Sequence, residues 1–206
     1  MNNLTIQWNG HSCFLVACGG WTIVLDPYAP DSVPGLPPLA LSANQVLCSH
    51  GHSDHGYAEG VRILSGERNP FQIRTIDTFH DDQKGALRGP NRIHILEAEG
   101  LRIAHLGDLG CMPAPQELDQ LTGLDVLMIP VGGYYTIDAA QAHDLAVRLA
   151  PRITIPMHYR SDRFGYPVIG TLDRFTELCK DVCVYPGNAL EVDGETKTQT
   201  AVLTLP

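Results

Sequence analysis

The sequence predicts a layered domain of mixed α/β class (α+β layered), and three observations predict it. Strand-like segments crowd the first half in hairpin succession, strand and helix alternate in the second half, and some strands are apolar throughout. With 206 residues, 44% of them apolar and 18% charged, the chain can bury one sizeable core, and residues 1–206 are expected to form a single domain. No repeat, low-complexity tract or linker divides it.

"LTIQWNG" and "SCFLVACGGWTIVLDP" read as successive strands, with "CGGW" as a hairpin turn. Five prolines in "PYAPDSVPGLPPLALSANQ" forbid a regular helix or central strand, so a long loop follows. "QVLCSH" is a short strand. "YAEGVRILSG" is expected as a short helix with Val61 and Leu64 inward. "FQIRTIDTFH", "NRIHILEAEG" and "LRIAHLGDLG" are strands separated by turn residues, and "APQELDQLTG" is a helix. "LDVLMIPVGG" and "RITIPMHY" have the apolar runs of strands covered on both faces. Between them, "DAAQAHDLAVRLA" is a helix capped by Thr136 or Asp138, with Ala139, Ala142, Leu145, Ala146 and Leu149 as its apolar stripe. "TLDRFTELCKD" is read as a last helix, followed by two terminal strands. Helices are expected to cover both sheets.

Charge and leader signals narrow the function classes. A net charge of −9 argues against a nucleic-acid binder, which shows a basic face. No apolar run has the length of a membrane span, and "MNNLTIQWNG" lacks a secretory pattern, so a cytoplasmic location with reduced thiols is expected. Cys13, Cys18, Cys48, Cys111, Cys179 and Cys183 form no C-x-x-C pair and are expected to be mostly buried apolar side chains.

"CSHGHSDHG" carries the chemistry. His50 and His52, two apart at a strand end, point to one side and can reach one ion. Asp54 and His55 are adjacent, so the chain must turn there, and the turn lets both face a second position beside the first. Further ligands must come from a distance. His80, Asp108 and His158 each stand where an apolar strand stops, and strand ends meeting at one sheet edge make a cleft. Imidazoles and carboxylates without cysteine suit Zn²⁺, Mn²⁺ or Fe²⁺. Such ligands must be neutral imidazoles, so binding is expected to fail as pH drops below about 6.5. His94, His105 and His143, on strands and a helix, are expected to be structural or solvated.

The H-x-H-x-D-H segment resembles the signature of the metallo-β-lactamase superfamily. "WNGHSCF", "VLDP", "SHGHSDH", "TFHDDQKGALRGPN", "HLGDLG", "DVLMIPVGGYYTID" and "IPMHY" together resemble its small, stand-alone branch of ascorbate-phosphate-lactonase-like metal-dependent hydrolases. The resemblance covers nearly the whole chain. It implies an αβ/βα sandwich of two mixed β-sheets flanked by helices. It also implies two Zn²⁺ or Mn²⁺ ions: one held by His50, His52 and His80, one by Asp54, His55 and His158, with Asp108 between them. Two outer positions stay open: Asp26 either buttresses a ligand histidine or forms the turn before Pro27, and His11 either contacts substrate and metal-bound water or makes a structural hydrogen bond.

The implied activity is hydrolysis. Two divalent ions would share a hydroxide, with Asp54 as the catalytic residue that orients it and accepts a proton. The ions outweigh the aspartates and the hydroxide in charge, so a small anionic substrate (a lactone, phosphoester or thioester) is favoured. Among Lys84, Arg88, Arg92, Arg160 and Arg163, some either grip such an anion or simply offset Asp81, Asp82 and Asp162. Tyr135 and Tyr159 either donate to an oxyanion or pack in the core. The partner is expected to be a small molecule, with no nucleic acid or membrane, in a possible homo-oligomer. The other readings are a metal-binding protein without turnover (structural or sensory) and a nuclease or phosphodiesterase of the same superfamily.

Overall fold

The structure, a computed structural model, describes residues 4–66 and 68–206. β1 (Leu4–Trp8), β2 (Phe14–Cys18) and β3 (Trp21–Leu25) form an antiparallel meander with its second turn at Gly19 and Gly20. After the proline-rich loop come β4 (Ser42–Ala43) and β5 (Gln45–Leu47). β5 joins β3 in parallel, and β4 pairs with β6 (Arg62–Ile63). A second meander follows, of β7 (Gln72–Phe79), β8 (Pro90–Ala98) and β9 (Leu101–His105). The rest alternates: α1 (Pro115–Gln120), β10 (Val126–Pro130), α2 (Ala139–Leu149), β11 (Ile153–Met157), α3 (Asp173–Thr176), then β12 (Val182–Val184), β13 (Ala189–Val192) and β14 (Gln199–Val202).

These strands make two mixed sheets. One has the order β13-β1-β2-β3-β5, the other β12-β14-β11-β10-β9-β8-β7. Period-two patterning decides how they pack. In β1 and β2 the residues Leu4, Ile6, Trp8, Phe14, Val16 and Cys18 are buried, while those between them are half-buried. They join Ile93, Ile95, Ile103 and Met128 of the other sheet in one apolar core. β10 and β11 are buried at every position, as expected for strands covered on both faces. Their outer cover is α2, which buries Ala142, Leu145 and Leu149. Asp138, not Thr136, caps α2: its carboxylate accepts from Gln141 N at 2.9 Å, and the Gln141 side chain accepts from Asp138 N at 3.0 Å.

Four expectations need correction. The outer face of the first sheet is covered by the proline-rich loop rather than by a helix. Tyr28, Val33 and Leu36 pack there on Val24 and Ala43. Proline prevents the helix, yet the loop still brings enough apolar surface to close the face. Residues 57–66 form a single 3₁₀ turn at Ala58–Gly60 and then β6. Val61 is buried and Leu64 exposed, because pairing with Ala43 draws the chain out as a strand. The last helix keeps only Asp173–Thr176, and three terminal strands follow instead of two, β13 crossing back to β1. The cysteines are less hidden than expected: Cys13 and Cys18 are buried, Cys48, Cys111 and Cys179 half-buried, and Cys183 exposed, all as free thiols. Among the described residues, no helix is long and apolar enough to cross a membrane.

The two sheets approach closely where β5 and β9 end. Gly107 lies at that contact with φ 55°, and a Cβ there would sit 2.4 Å from Asn91 Oδ1 and 2.4 Å from Ser49 Cβ. Both the left-handed backbone and the space therefore require glycine. Gly107→Ala is expected to lower stability by about 2 kcal/mol or more, from overpacking plus backbone strain. Denaturant unfolding measures it, and an unchanged midpoint would contradict this close contact.

Candidate metal centre

Strand ends assemble the site. Asp26 follows β3, the segment His50–His55 follows β5, His80 follows β7, Asp108 lies beyond β9 and His158 follows β11. His11 comes from the turn between β1 and β2. The sheets run so that these ends reach one edge, which brings together every donor singled out in the sequence. His50, His52 and His80 form one group with potential ligand atoms within 4.8 Å of one another, and His11, Asp54, His55 and His158 form a second. Asp108 stands between them. Its Oδ1 is 3.2 Å from His55 Nε2, and its Oδ2 is 3.3 Å from His80 Nε2 and 3.2 Å from His158 Nε2.

The outer contacts aim these rings. The Asp26 carboxylate is fully buried. Oδ1 accepts from Ser49 N at 2.6 Å, and Oδ2 accepts from Ser49 Oγ at 2.6 Å and from His55 Nδ1 at 2.8 Å. Ser49 Oγ, having donated its proton to Asp26, can only accept from His50 Nδ1 at 2.9 Å. Both imidazoles thus carry the proton on Nδ1 and turn the Nε2 lone pair inward. Asn91 anchors the other side, its Oδ1 accepting from Asp108 N at 2.9 Å while its amide donates to the Leu106 carbonyl. His11 Nε2 lies 3.3 Å from Asp54 Oδ2, and Tyr166 OH shares its proton between the Ser32 carbonyl at 2.7 Å and Asp54 Oδ2 at 3.2 Å.

Three of these residues hold left-handed backbone: His11 at φ 51°, Asp26 at φ 46° and His158 at φ 54°. The chain therefore bends sharply at these residues, which turns each side chain toward the donor cluster rather than along its strand.

The electrostatics suit a cation. His50 Nε2, His55 Nε2, His158 Nε2 and Asp108 Oδ1 are buried and, among the described residues, have no hydrogen-bond partner. Buried polar atoms normally have one, so lone pairs meeting in this way fit divalent cations between them. Burial keeps the His50 imidazole neutral down to about 3 and the His11 imidazole to about 4, and it lowers His80 as well. The expected loss of binding below about 6.5 therefore moves to lower pH for His50. Burial opposes the charge of Asp108, but His158 and His55 hold its carboxyl well below the usual range. Burial also opposes charge on His55, yet Asp108 and Asp26 together raise it well above the usual imidazole range.

The cleft over these donors, about 360 Å³, is lined by His52, Ser53, Asp54, His80, Arg88, Asp108, Tyr135 and Tyr166. Tyr135 is thus a wall residue, whereas Tyr159 is buried against Trp8 and Phe164. Arg92 pairs with Asp77, Arg160 Nε donates to the Ile169 carbonyl, and Arg163 donates to the Pro206 carbonyl, so none of the three lines the cleft. Lys84 is exposed on the loop after His80. His105 is structural, donating Nε2 to the Ser12 carbonyl at 2.9 Å. Ser49, Asn91 and Tyr166 were not picked out from the sequence. Tyr166 is 112 residues from Asp54, and nothing local marks it.

Comparison with known proteins agrees with this architecture. The beta-lactamase superfamily domain profile matches residues 5–158. A UPF0173 metal-dependent hydrolase of Thermoplasma acidophilum is 29% identical over 193 residues, covering 78% of this chain and 85% of its own length. A crystal structure from Thermotoga maritima, assigned as a Zn-dependent hydrolase of the metallo-beta-lactamase superfamily, is 30% identical with a TM-score of 0.79, covering 98% of this chain and all of its own. A metallo hydrolase of Ignicoccus hospitalis shares the fold at TM-score 0.64 and 20% identity.

Two outcomes are expected from this geometry. Asp26→Asn removes the acceptor that fixes His55 and His50, so zinc affinity should fall about 10- to 100-fold in a chelator competition. An unchanged affinity would show that the ring orientations do not depend on it. In the cation-free protein, His11 and His50 titrate near 4 and 3 when folded but near 6.5 when unfolded. The unfolded chain then takes up protons first, so stability present above pH 6.5 is lost as pH falls toward these folded values. His80, His94 and His105 are shifted the same way, and only His55 opposes them. The thermal midpoint of chelator-treated protein should drop between about pH 7 and pH 4, and a flat profile would contradict the burial argument.

Proposed function

The chain belongs to the metallo-β-lactamase superfamily, and from that premise we propose that it is a cytoplasmic metal-dependent hydrolase with two divalent cations, zinc or manganese. The observation that carries this reading is the meeting of unpartnered ring nitrogens and carboxylate oxygens around Asp108. His50, His52 and His80 would hold one cation, His55, His158 and Asp54 the other, and Asp108 would touch both. Bound there, the cations would supply Lewis acidity, lowering the pKa of a water and polarising the bond under attack.

The chain's own residues do the rest. Asp54 is 15% exposed at its side chain, enough to reach the cleft, and its Oδ2 is pinned by His11 and Tyr166. Burial opposes its ionisation, but His11 and His55 keep its carboxyl below the usual range, so it remains a hydrogen-bond acceptor at neutral pH. We assign it to orient the attacking water and to hold the proton that water gives up. His11 and Tyr166 act through Asp54 as positioning residues. The cleft, at about 360 Å³, suits a small molecule rather than a nucleic-acid strand, and the net charge of −9 favours the same choice. A lactone, phosphoester or thioester is the bond class that fits.

Elemental mass spectrometry on protein purified without chelator and saturated with zinc or manganese is expected to count about two ions per chain. Asp108→Ala should lose at least one of them, and hydrolysis of the ester and lactone panel should fall about a hundredfold or more. No bound ion at neutral pH would remove the basis of this reading.

A further inference from the structure

Among the described arginines, Arg88 is the one that lines the cleft. Arg92, Arg102 and Arg152 donate to Asp77, Glu97 and Asp125, and Arg160 and Arg163 donate to backbone carbonyls. Arg88 is half-buried, lines the cleft beside His52, His80 and Asp54, and among the described residues its guanidinium has no acceptor. Its Cζ lies over the Tyr135 ring, 5.5 Å from the centroid. A guanidinium on an aromatic face keeps its in-plane N–H donors available.

The loop that carries Arg88 is tightly built. It leaves His80 and returns to Gly89, where His80 N donates to the Gly89 carbonyl at 3.1 Å. Its inside is the buried Asp81 carboxylate, which accepts four backbone N–H bonds: Gln83 and Gly85 on Oδ1, Leu87 and Arg88 on Oδ2. The Arg88 backbone is therefore tied to the residue next to a proposed ligand. A surface arginine offsetting nearby acids needs no such support, and Asp81 does not pair with the Arg88 side chain.

We propose that Arg88 is the specificity-determining residue of this cleft, its guanidinium binding an oxyanion group (a phosphate or a carboxylate) that the substrate carries beside the bond to be cleaved. The inference rests on the hydrolase reading and extends it to a substrate class. Partial burial of an unpaired cation is unfavourable, and a bidentate oxyanion relieves it. Asp81 serves as a positioning residue by holding the loop, and Tyr135 supports the guanidinium plane.

The test uses inorganic phosphate as the probe. Its affinity is measured calorimetrically on the zinc-loaded chain, on Arg88→Met and on Arg88→Lys, with zinc counted in each. The expected result is a tenfold or greater loss in Arg88→Met, a smaller loss in Arg88→Lys, and unchanged zinc content. Paired esters with and without a carboxylate give the second readout: the preference for the anionic member, as a ratio of kcat/KM, should fall at least tenfold in Arg88→Met. Equal phosphate affinity in all three proteins overturns the assignment. So does loss of zinc in both variants, which would make Arg88 a structural residue. If the unsubstituted chain turns over no ester, the hydrolase reading fails, while the phosphate measurement still decides whether Arg88 holds an oxyanion.

Discussion

The Asp26 carboxylate is cut off from water, and the rest of the site depends on how its charge is held. Burial alone would drive it to protonate. His105 and His55 nearby, with the Ser49 bonds, instead keep it ionised down to about 2. Each stabilising partner is also a constraint. Ser49 is fixed by two bonds, His55 by one, and His50 through the Ser49 hydroxyl. One anion behind the cleft thereby sets the tautomers of two rings in front of it. Hydrogen bonds to a charge are worth about 1.5–3 kcal/mol each, more than neutral ones, so they can hold rings against mutual repulsion.

That repulsion shows what the two sheets are for. Lone pairs aimed at each other at 3.2–3.3 Å are unfavourable in the protein alone. They persist because strands anchored in the core carry much of the cluster: buried Leu25 precedes Asp26, buried Leu106 lies two residues before Asp108, and buried Met157 precedes His158. Apolar burial in the sandwich thus offsets polar conflict at its edge. Loops then add what strands cannot. The segment after β7 is wound around Asp81, and the segment after β11 brings Tyr166 to Asp54 by way of the Ser32 carbonyl.

Much of this was legible in the sequence, for reasons that differ by residue. The H-x-H-x-D-H segment is local, and its spacing alone says that donors face more than one way. His80, Asp108 and His158 could be singled out because each interrupts an apolar strand at its end. Period-two patterning gave β1 and β2, and unbroken apolar runs gave β10 and β11. Ser49, Asn91, Tyr166 and the outcome for Arg88 were not legible, because their roles are fixed by long-range approach. Ser49 sits next to His50 yet matters through Asp26, 23 residues away. Short elements failed too. Residues 57–66 and the terminal region have weak periodicity, and pairing with Ala43, Leu4 and Thr200 decided their state.

The left-handed backbone at His11, Asp26 and His158 has a consequence for which residues these positions tolerate. Outside glycine, that conformation costs about 1–2 kcal/mol for most L-residues, and Asn, Asp and His adopt it most readily. The fold thus filters the amino acids allowed at three of its functional corners before chemistry does. Drift through β-branched residues is disfavoured there, while exchange among His, Asp and Asn stays open. Sequence change that keeps the architecture is therefore steered toward residues able to bind metal or accept hydrogen bonds, and the corners of this sandwich predispose it to remain a ligand-bearing scaffold even when its substrate changes.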